Sequence, residues 1–397
     1  MSTEKNLGSG KVFFVTSLEL IPQRASDEQK RLMLLGGFLG AGKTTLIGKL
    51  IWHLQSDGLR CGVVTNDQAA GLVDTAMAET LEGAVISEIA GGCFCCKLDQ
   101  LEEVLTKQWQ NDPSSSPAVI VAEPVGSCTD LIATVVLPLR RIYGEAVVIS
   151  PFSVVLDGRR ALASLGGRRT PGDFSRDVGY IYRKQIEEAE IVVVNKMDLL
   201  LEEDVADLLV RIEANFPGKE VFLLSARTGE GLAKWAERIT GAETAPQRLM
   251  EVDYERYGIG EALLGWCNAE AEVTCQHPEN GDAFLSRLAL AITNTLAEQA
   301  TEVAHFKMAL TDADGRLGVI NQVMSGTAPE ISRSFGGNFR DGRLTVNLRA
   351  EGDPEALREI VEKCVRMISQ DGVTAELREM AAFRPGQPVP VERVTML

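Results

Sequence analysis

The sequence predicts an α/β fold: a parallel sheet with covering helices, followed by a smaller C-terminal α+β domain. Three observations predict it. From Arg31 onward, apolar runs alternate with amphipathic helical stretches, the signature of βαβ units. The runs end at polar or small residues, as strands do where open parallel sheets bind their ligands. Around "ITGAETAPQRL" (239–249) this alternation breaks, and a different order of elements follows.

Residues 1–30 read as an N-terminal extension, in which "KVFFVTSLELI" suits an extra strand and "PQRASDEQK" a polar tether. The strands expected for the first domain, 31–245, are "RLMLLGG", "RCGVVTN", "AVIVAE", "EAVVISPFSVVLD", "AEIVVVNK" and "EVFLLSA". The second domain, 250–385, opens with the strand "GWCNAEAEVTCQ". A helix follows, with Leu285, Leu288, Ile292 and Leu296 on one side. "EVAHFKMAL" and "GRLTVNLRA" are further strands. Asp353 and Pro354 suit the N-cap and first position of the next helix, and "TAELREMAAF" closes the set. The order β-α-β-β-α-β, with an insertion near 320–335, suggests a ferredoxin-like arrangement. Residues 386–397 read as a loose tail.

The 397 residues carry a formal net charge of −16, with 45% hydrophobic and 24% charged residues. An acidic surface repels nucleic-acid backbones and anionic lipid, so neither is an expected partner. No apolar run approaches the roughly 20 residues that cross a bilayer. The first residues, "MSTEKNLGSG", lack a basic-then-apolar signal. A cytoplasmic address is the expectation, and there the eight cysteines should not form structural disulfides.

"GGFLGAGKTT" contains Gly37-x-x-x-x-Gly42-Lys43-Thr44 at the end of a predicted strand and the start of a helix, a complete Walker A match. Gly37, Gly40 and Gly42 let backbone N–H groups turn inward around phosphates. Lys43 brings a point charge toward β and γ, and Thr44, followed by Thr45, can offer its hydroxyl to Mg²⁺. The helix aims its positive dipole end at the same anion. "IVVVNKMD" then selects the base. It holds Asn195, Lys196 and Asp198, and a carboxylate at Asp198 accepts two hydrogen bonds from guanine N1 and the exocyclic amine. Adenine lacks that donor pair. Losing such a bond costs on the order of 1.5–3 kcal/mol, about ten- to a hundredfold. Ser225 and Ala226, in "LLSARTGEGL", suit backbone contact with the guanine carbonyl.

Glu123, after an apolar run in "VIVAEPVGSC", can hold Mg²⁺ directly or through water, and Gly126 suits a loop that senses the γ-phosphate. In "VVTNDQAAGLVD", Asp67 is a better candidate than Asp74 to orient the attacking water or the metal ion. Lys43, Asp67 and Glu123 are thus the candidate catalytic set.

"GGCFCCKLD" places Cys93, Cys95 and Cys96 within four positions, behind two glycines. Thiolates are soft ligands that suit Zn²⁺ and other transition ions. This loop can turn at least two sulfurs toward one centre. A closed structural zinc site takes four ligands, so three or fewer leave an open position. Asp67, Cys128 or a partner protein could complete it. Cys364 shares a helical face with Leu357, Ile360, Val361 and Ile368 and reads as core. Cys275-x-His277 is a weak ligand pair, and His305 is expected on a solvated strand face.

"GGFLGAGKTT", "GGCFCC", "EPVG", "NKMD" and "SARTGEGL", in this order, resemble the CobW-type P-loop GTPases, relatives of the nickel-insertion GTPases. The likeness is close over about residues 31–240 and looser beyond, "HFKM" included. It implies a slow GTPase that acts as a metallochaperone or cofactor-insertion factor, uses GTP and Mg²⁺, and holds Zn²⁺ or Co²⁺ on Cys93, Cys95 and Cys96. It also implies a metal- or cobalamin-dependent client protein, with a homodimer as one option. The chain departs from the family at Asn66-Asp67-Gln68, where many relatives carry "NE" after the second strand, and in having only three histidines where many carry a His-rich tract. Two other readings stand beside it. One is a P-loop kinase or ATPase with structural cysteines. The other is a GTP-gated interaction switch for a corrinoid enzyme that handles no free metal. The thiol loop lies between Asp67 and Glu123 in sequence, so a switch ordered by γ-phosphate and Mg²⁺ could compress or release it.

Overall fold

The computed structural model describes residues 30–67, 81, 83–110, 116–166, 174–246, 248–369 and 372–396. The extra strand expected within residues 1–30 lies outside them. Among the described residues the first sheet has eight strands. They are β1 (Lys30–Gly36), β2 (Cys61–Asp67), β3 (Val85–Ala90), β4 (Val119–Glu123), β5 (Val147–Ile149), β6 (Ser153–Asp157), β7 (Ile191–Asn195) and β8 (Glu220–Leu223). Their order is β3-β2-β4-β1-β6-β7-β8, with β5 also on β1, and every pairing is parallel. The strands are apolar on both faces because helices cover both. One face packs under α1 (Lys43–Ser56) and α7 (Leu232–Thr240), with Leu46, Leu50 and Trp235 fully buried. The other packs under α2 (Leu98–Gln110), α3 (Leu137–Tyr143) and α5 (Arg176–Glu188). Helices α4 (Gly158–Ser164) and α6 (Glu202–Asn215) complete the layer.

Two strand expectations need correction. "EAVVISPFSVVLD" is two strands. Pro151 has no N–H to give to a ladder, and the chain steps along β1 there: β5 pairs with Lys30–Leu32, β6 with Leu35 and Gly36. The strand β3 was missed. It is the edge strand that delivers the cysteine loop, and its Ile89 is its one fully covered side chain.

The second sheet is antiparallel. It contains β9 (Leu264–Asn280), β10 (Glu302–Asp312), β11 (Leu317–Gln322), β12 (Glu330–Arg333), β13 (Asn338–Glu351) and β14 (Val373–Phe383), in the order β12-β11-β10-β13-β9-β14. The run β14-β9-β13-β10 is the ferredoxin-like ladder. The insertion near 320–335 supplies β11 and β12, which extend its edge. Helices α9 (Gly281–Glu298) and α10 (Pro354–Ile368) cover one face, meeting Phe306, Met308 and Leu310 of β10. The Asp353 side chain accepts from Ala356 N (3.3 Å) and caps α10, and Cys364 is core there. Helix α8 (Tyr254–Leu263) joins the two units.

The other face of this sheet turns toward the first domain, and a buried cation fixes the contact. Arg160, one turn into α4, donates to Val303 O (2.8 Å) and to Val323 O, pairs with Glu302 (3.8 Å) and lies over the Phe174 ring. Arg159 pairs with Glu330 (3.3 Å).

Residues 386–396 have no helix or strand, yet they are tied down rather than loose. Val389 N donates to Cys96 Sγ (3.3 Å), Val391 N to Cys95 O (2.9 Å) and Val394 N to Ala133 O (2.9 Å). Arg393 pairs with the buried Asp130 (2.7 Å), which also accepts from Tyr254 OH (2.7 Å). The tail therefore crosses the thiol loop as a strap. Arg393→Ala should speed labelling of Cys96 by a thiol reagent roughly tenfold or more, because a charge-assisted hydrogen bond contributes about 1.5–3 kcal/mol. An unchanged labelling rate would show that the ion pair does not hold the strap.

Below the same segment, Glu188 accepts from Thr129 Oγ1 (3.1 Å) and Ile132 N (3.3 Å). Burial first, then the charge of Asp130, pushes its carboxyl up to about 8. The unfolded chain ionises this group near 4.5 and the folded chain only near 8, so stability falls as pH rises between these values. Glu188→Gln should therefore gain stability over the parent as pH goes from 5 to 8. The gain should be on the order of 3 to 4 kcal/mol, at about 1.4 kcal/mol per pH unit over most of that span. Denaturant unfolding at both pH values checks it, and a pH-independent difference would count against it.

Candidate nucleotide site and candidate metal centre

The carboxyl ends of β1, β4, β6 and β7 meet at one edge, which the second sheet faces across a cavity of about 630 Å³. The loop from β1 to α1 is the phosphate cradle. Its shape needs glycine: a Cβ on Gly37 (φ +130°) would stand 2.2 Å from Val155 O, and one on Gly42 (φ +88°) 2.6 Å from Asn195 Nδ2. Lys43 is buried and donates to Gly37 O (2.8 Å). Thr44 Oγ1 bonds both carboxylate oxygens of Glu123 (3.2 Å each), and Lys43 lies 3.9 Å from the same carboxylate. A hydroxyl and a carboxylate side by side beneath a phosphate cradle are hard oxygen donors that fit Mg²⁺.

Asn195, at the end of β7, braces the cradle. Its Nδ2 donates to Ala41 O (2.9 Å), while its Oδ1 accepts from Lys196 N (2.8 Å) and Ala226 N (2.9 Å). Lys196 sits in the left-handed region (φ 64°) and reaches back to Gly40 O (2.8 Å) and Asp157 (2.8 Å). Asp198 accepts from Ser225 Oγ (2.6 Å) and pairs with Arg227. These bonds aim one carboxylate at the cavity, where a guanine edge would present its two donors. Gly40, Gly42, Lys43, Thr44, Thr45, Glu123, Gly126, Asn195, Lys196, Asp198 and Ala226 all line the cavity. Gly37 packs behind it on Val155, and Ser225 stands behind Asp198. Asp67 ends β2, and its side chain lies outside the described residues.

Sequence reasoning missed three contributors. Asp157 caps α4, accepting from Arg160 N (2.9 Å), and holds Lys196 in place. Asn66 donates to Ile89 O (2.8 Å) and Gly92 O (2.6 Å), linking the end of β2 to the cysteine loop. The third is the second domain, which supplies His305, Lys307 and Arg349 to the cavity wall. His305 is thus not on a solvated face: burial, then the charges of Arg349, Lys196, Lys43 and Arg160, push its imidazole down to about 3. Burial pushes Lys307 down to about 8. The alternation of "HFKM" about Phe306 put both side chains on one face. Only the second domain's docking revealed what that face meets.

The thiol cluster lies outside the cavity lining. Gly91 (φ +76°) and Gly92 (φ +155°) turn the chain out of β3, and a single 3-10 turn, Phe94–Lys97, leads into α2. Cys93 Sγ is 2.8 Å from Cys95 Sγ and 3.0 Å from Cys96 Sγ, and Cys95 is 3.8 Å from Cys96. Cys93 and Cys95 are buried and Cys96 is half-exposed. Hydrogen bonds from Cys128, then Cys95 and Cys96, hold the Cys93 thiol far below its usual range. Its neighbours Cys95 and Cys128 are pushed up, each first through its bond to Cys93. One thiolate shared among donor thiols is a set of soft donors of the kind that fits a soft metal ion. Among the described residues these three cysteines are the one group of three or more metal-ligating side chains drawn together for an ion. Cys275 is buried while His277 is exposed on β9, so that pair does not converge.

Residues 31–222 match the model of the CobW/HypB/UreG nucleotide-binding domain. The chain is 26% identical over 191 residues to a protein named zinc chaperone CobW from Sinorhizobium sp, covering 45% of this chain and 53% of that one. It is 26% identical over 168 residues to one named zinc chaperone YeiR from Escherichia coli K12, covering 42% and 47%. It thus spans about half the length of these curated relatives. Among solved structures, hydrogenase maturation factor HypB from Archaeoglobus fulgidus aligns at 19% identity and TM-score 0.38, covering 54% of this chain and 90% of that one. Zn(II)-bound YjiA GTPase from E. coli aligns at 14% identity and TM-score 0.27, covering 84% and 98%. The domain match and the motifs at the sheet edge together make residues 31–222 similar to the CobW/HypB/UreG nucleotide-binding domain.

Proposed function

We propose that this protein binds and hydrolyses GTP, holds a zinc-class ion on Cys93, Cys95 and Cys96, and passes that ion to a metal-dependent client protein. The observation that carries the proposal is the convergence of three sulfurs within 3.8 Å on a loop fastened through Asn66 to a strand beside the phosphate cradle. The relatives named as zinc chaperones support the choice of metal.

In the GTPase reaction Lys43 and the backbone amides after Gly37 gather the negative charge of the β and γ phosphates. Bound Mg²⁺, held by Thr44 and Glu123, would supply further charge neutralisation at the leaving oxygen. Asp67 retains its role from the sequence reading, orienting the water that becomes part of the released phosphate. Lys307 and Arg349 line the far wall of the cavity and add positive potential there. The P-loop kinase reading is disfavoured by Asp198, whose bonds from Ser225 and Arg227 present a fixed carboxylate that adenine cannot satisfy.

Asp198→Asn should weaken GTP binding by about ten- to a hundredfold, the factor for one buried charged hydrogen bond. Calorimetry with GTP and ATP checks this, and parent selectivity for ATP would return the kinase reading. Elemental analysis of the purified protein should find close to one zinc per chain, lost when Cys93, Cys95 and Cys96 are all changed to serine. Retention of zinc by that variant would remove the metal role assigned to these cysteines.

A further inference from the structure

A fourth sulfur stands at the thiol cluster. Cys128 is buried, packs in the same core as Cys93 and Cys95, and lies beside the Cys93 sulfur. It belongs to the turn that follows β4: Cys128 N donates to Val125 O (2.9 Å). Gln185 Nε2 of α5 clamps this turn through Gly126 O (2.9 Å) and Cys128 O (2.8 Å). The same turn begins at Glu123, whose carboxylate bonds Thr44 (3.2 Å). At its middle, Gly126 lies so close to the cradle that a Cβ there would stand 3.0 Å from Leu39 N. Five residues thus run from the phosphate and Mg²⁺ ligands to a thiol beside the cluster.

The trio forms a set with all sulfurs within 4.8 Å of one another, and Cys128 stands just outside that set. Zinc bound by three thiolates keeps an open position, and a fourth closes it.

We propose that Cys128 is the fourth thiolate ligand of the metal, delivered by the loop that carries Glu123 and Gly126. The inference rests on the metal-binding reading above. With Cys128 in place the ion is held in a closed four-sulfur site. With Cys128 withdrawn, a client ligand can enter. Because the loop's other end touches the nucleotide cradle, the bound nucleotide selects between these arrangements, and metal and nucleotide affinities are linked.

X-ray absorption on the zinc-loaded full chain, with GDP and with a non-hydrolysable GTP analogue, counts the sulfurs directly. Four sulfurs in at least one nucleotide state support the proposal, and three or fewer in both overturn it, with no variant required. Zinc titration in the two states should give affinities differing by roughly 5- to 150-fold. Cys128→Ser, and Cys128→Ala with its melting transition checked, should bring that ratio close to one. A ratio unchanged in both variants overturns the proposal. Failure of the parent to bind zinc at all would instead strike the reading on which it rests, so the two failures are distinguishable.

Discussion

The constraint on which the rest of the molecule depends is the absence of slack around the phosphate cradle. Its glycines do more than permit a turn. Gly37 lies backbone to backbone on Val155 of β6, Gly42 lies against the Asn195 amide of β7, and Leu39 lies against Gly126 of the loop after β4. Interiors packed at this density transmit displacement rather than absorb it. Three strand ends are therefore in contact with one loop, and whatever shifts the loop is felt by Asn195 and by the segment leading to the thiols. Gly40 extends the contact to Val323 in the second domain.

Much of the first domain was legible in the sequence because its information is local. The Walker A run, the strand before it and the helix after it are contiguous, and each needs a particular residue at a particular place. The strand and turn of "IVVVNKMD" were legible for the same reason, because a continuous apolar run ends at its polar residues. Cys364 could be assigned to core from helical spacing alone. The split of "EAVVISPFSVVLD" had a local sign, Pro151, outweighed by the apolar run on either side of it. The run "AVISEIA" carried a strand pattern between glycines and was passed over beside the cysteines that follow.

What could not be read was set by contacts between residues far apart in the chain. Arg160 looks like one basic residue among several in "DGRRALAS", yet it is the buried cation joining two domains through Glu302 and the carbonyls of Val303 and Val323. His305 and Lys307 alternate correctly for a strand, and nothing nearby indicates that their face meets Lys43 and Lys196 across a cavity. The polar, Pro-containing tail has the composition of a free end. Its order comes from Asp130, a buried carboxylate more than two hundred and fifty positions away that requires a cation.

That last feature sets a schedule. The amide covering Cys96 comes from Val389, 293 positions further along the chain. At ~5–20 residues per second, a ribosome needs ~15–60 s to make the intervening stretch. During this interval Cys96 lacks that cover and stands open to oxidants and to whichever soft ions the cell supplies. A protein built this way depends on its surroundings to keep that sulfur reduced and unclaimed until synthesis has passed the strap.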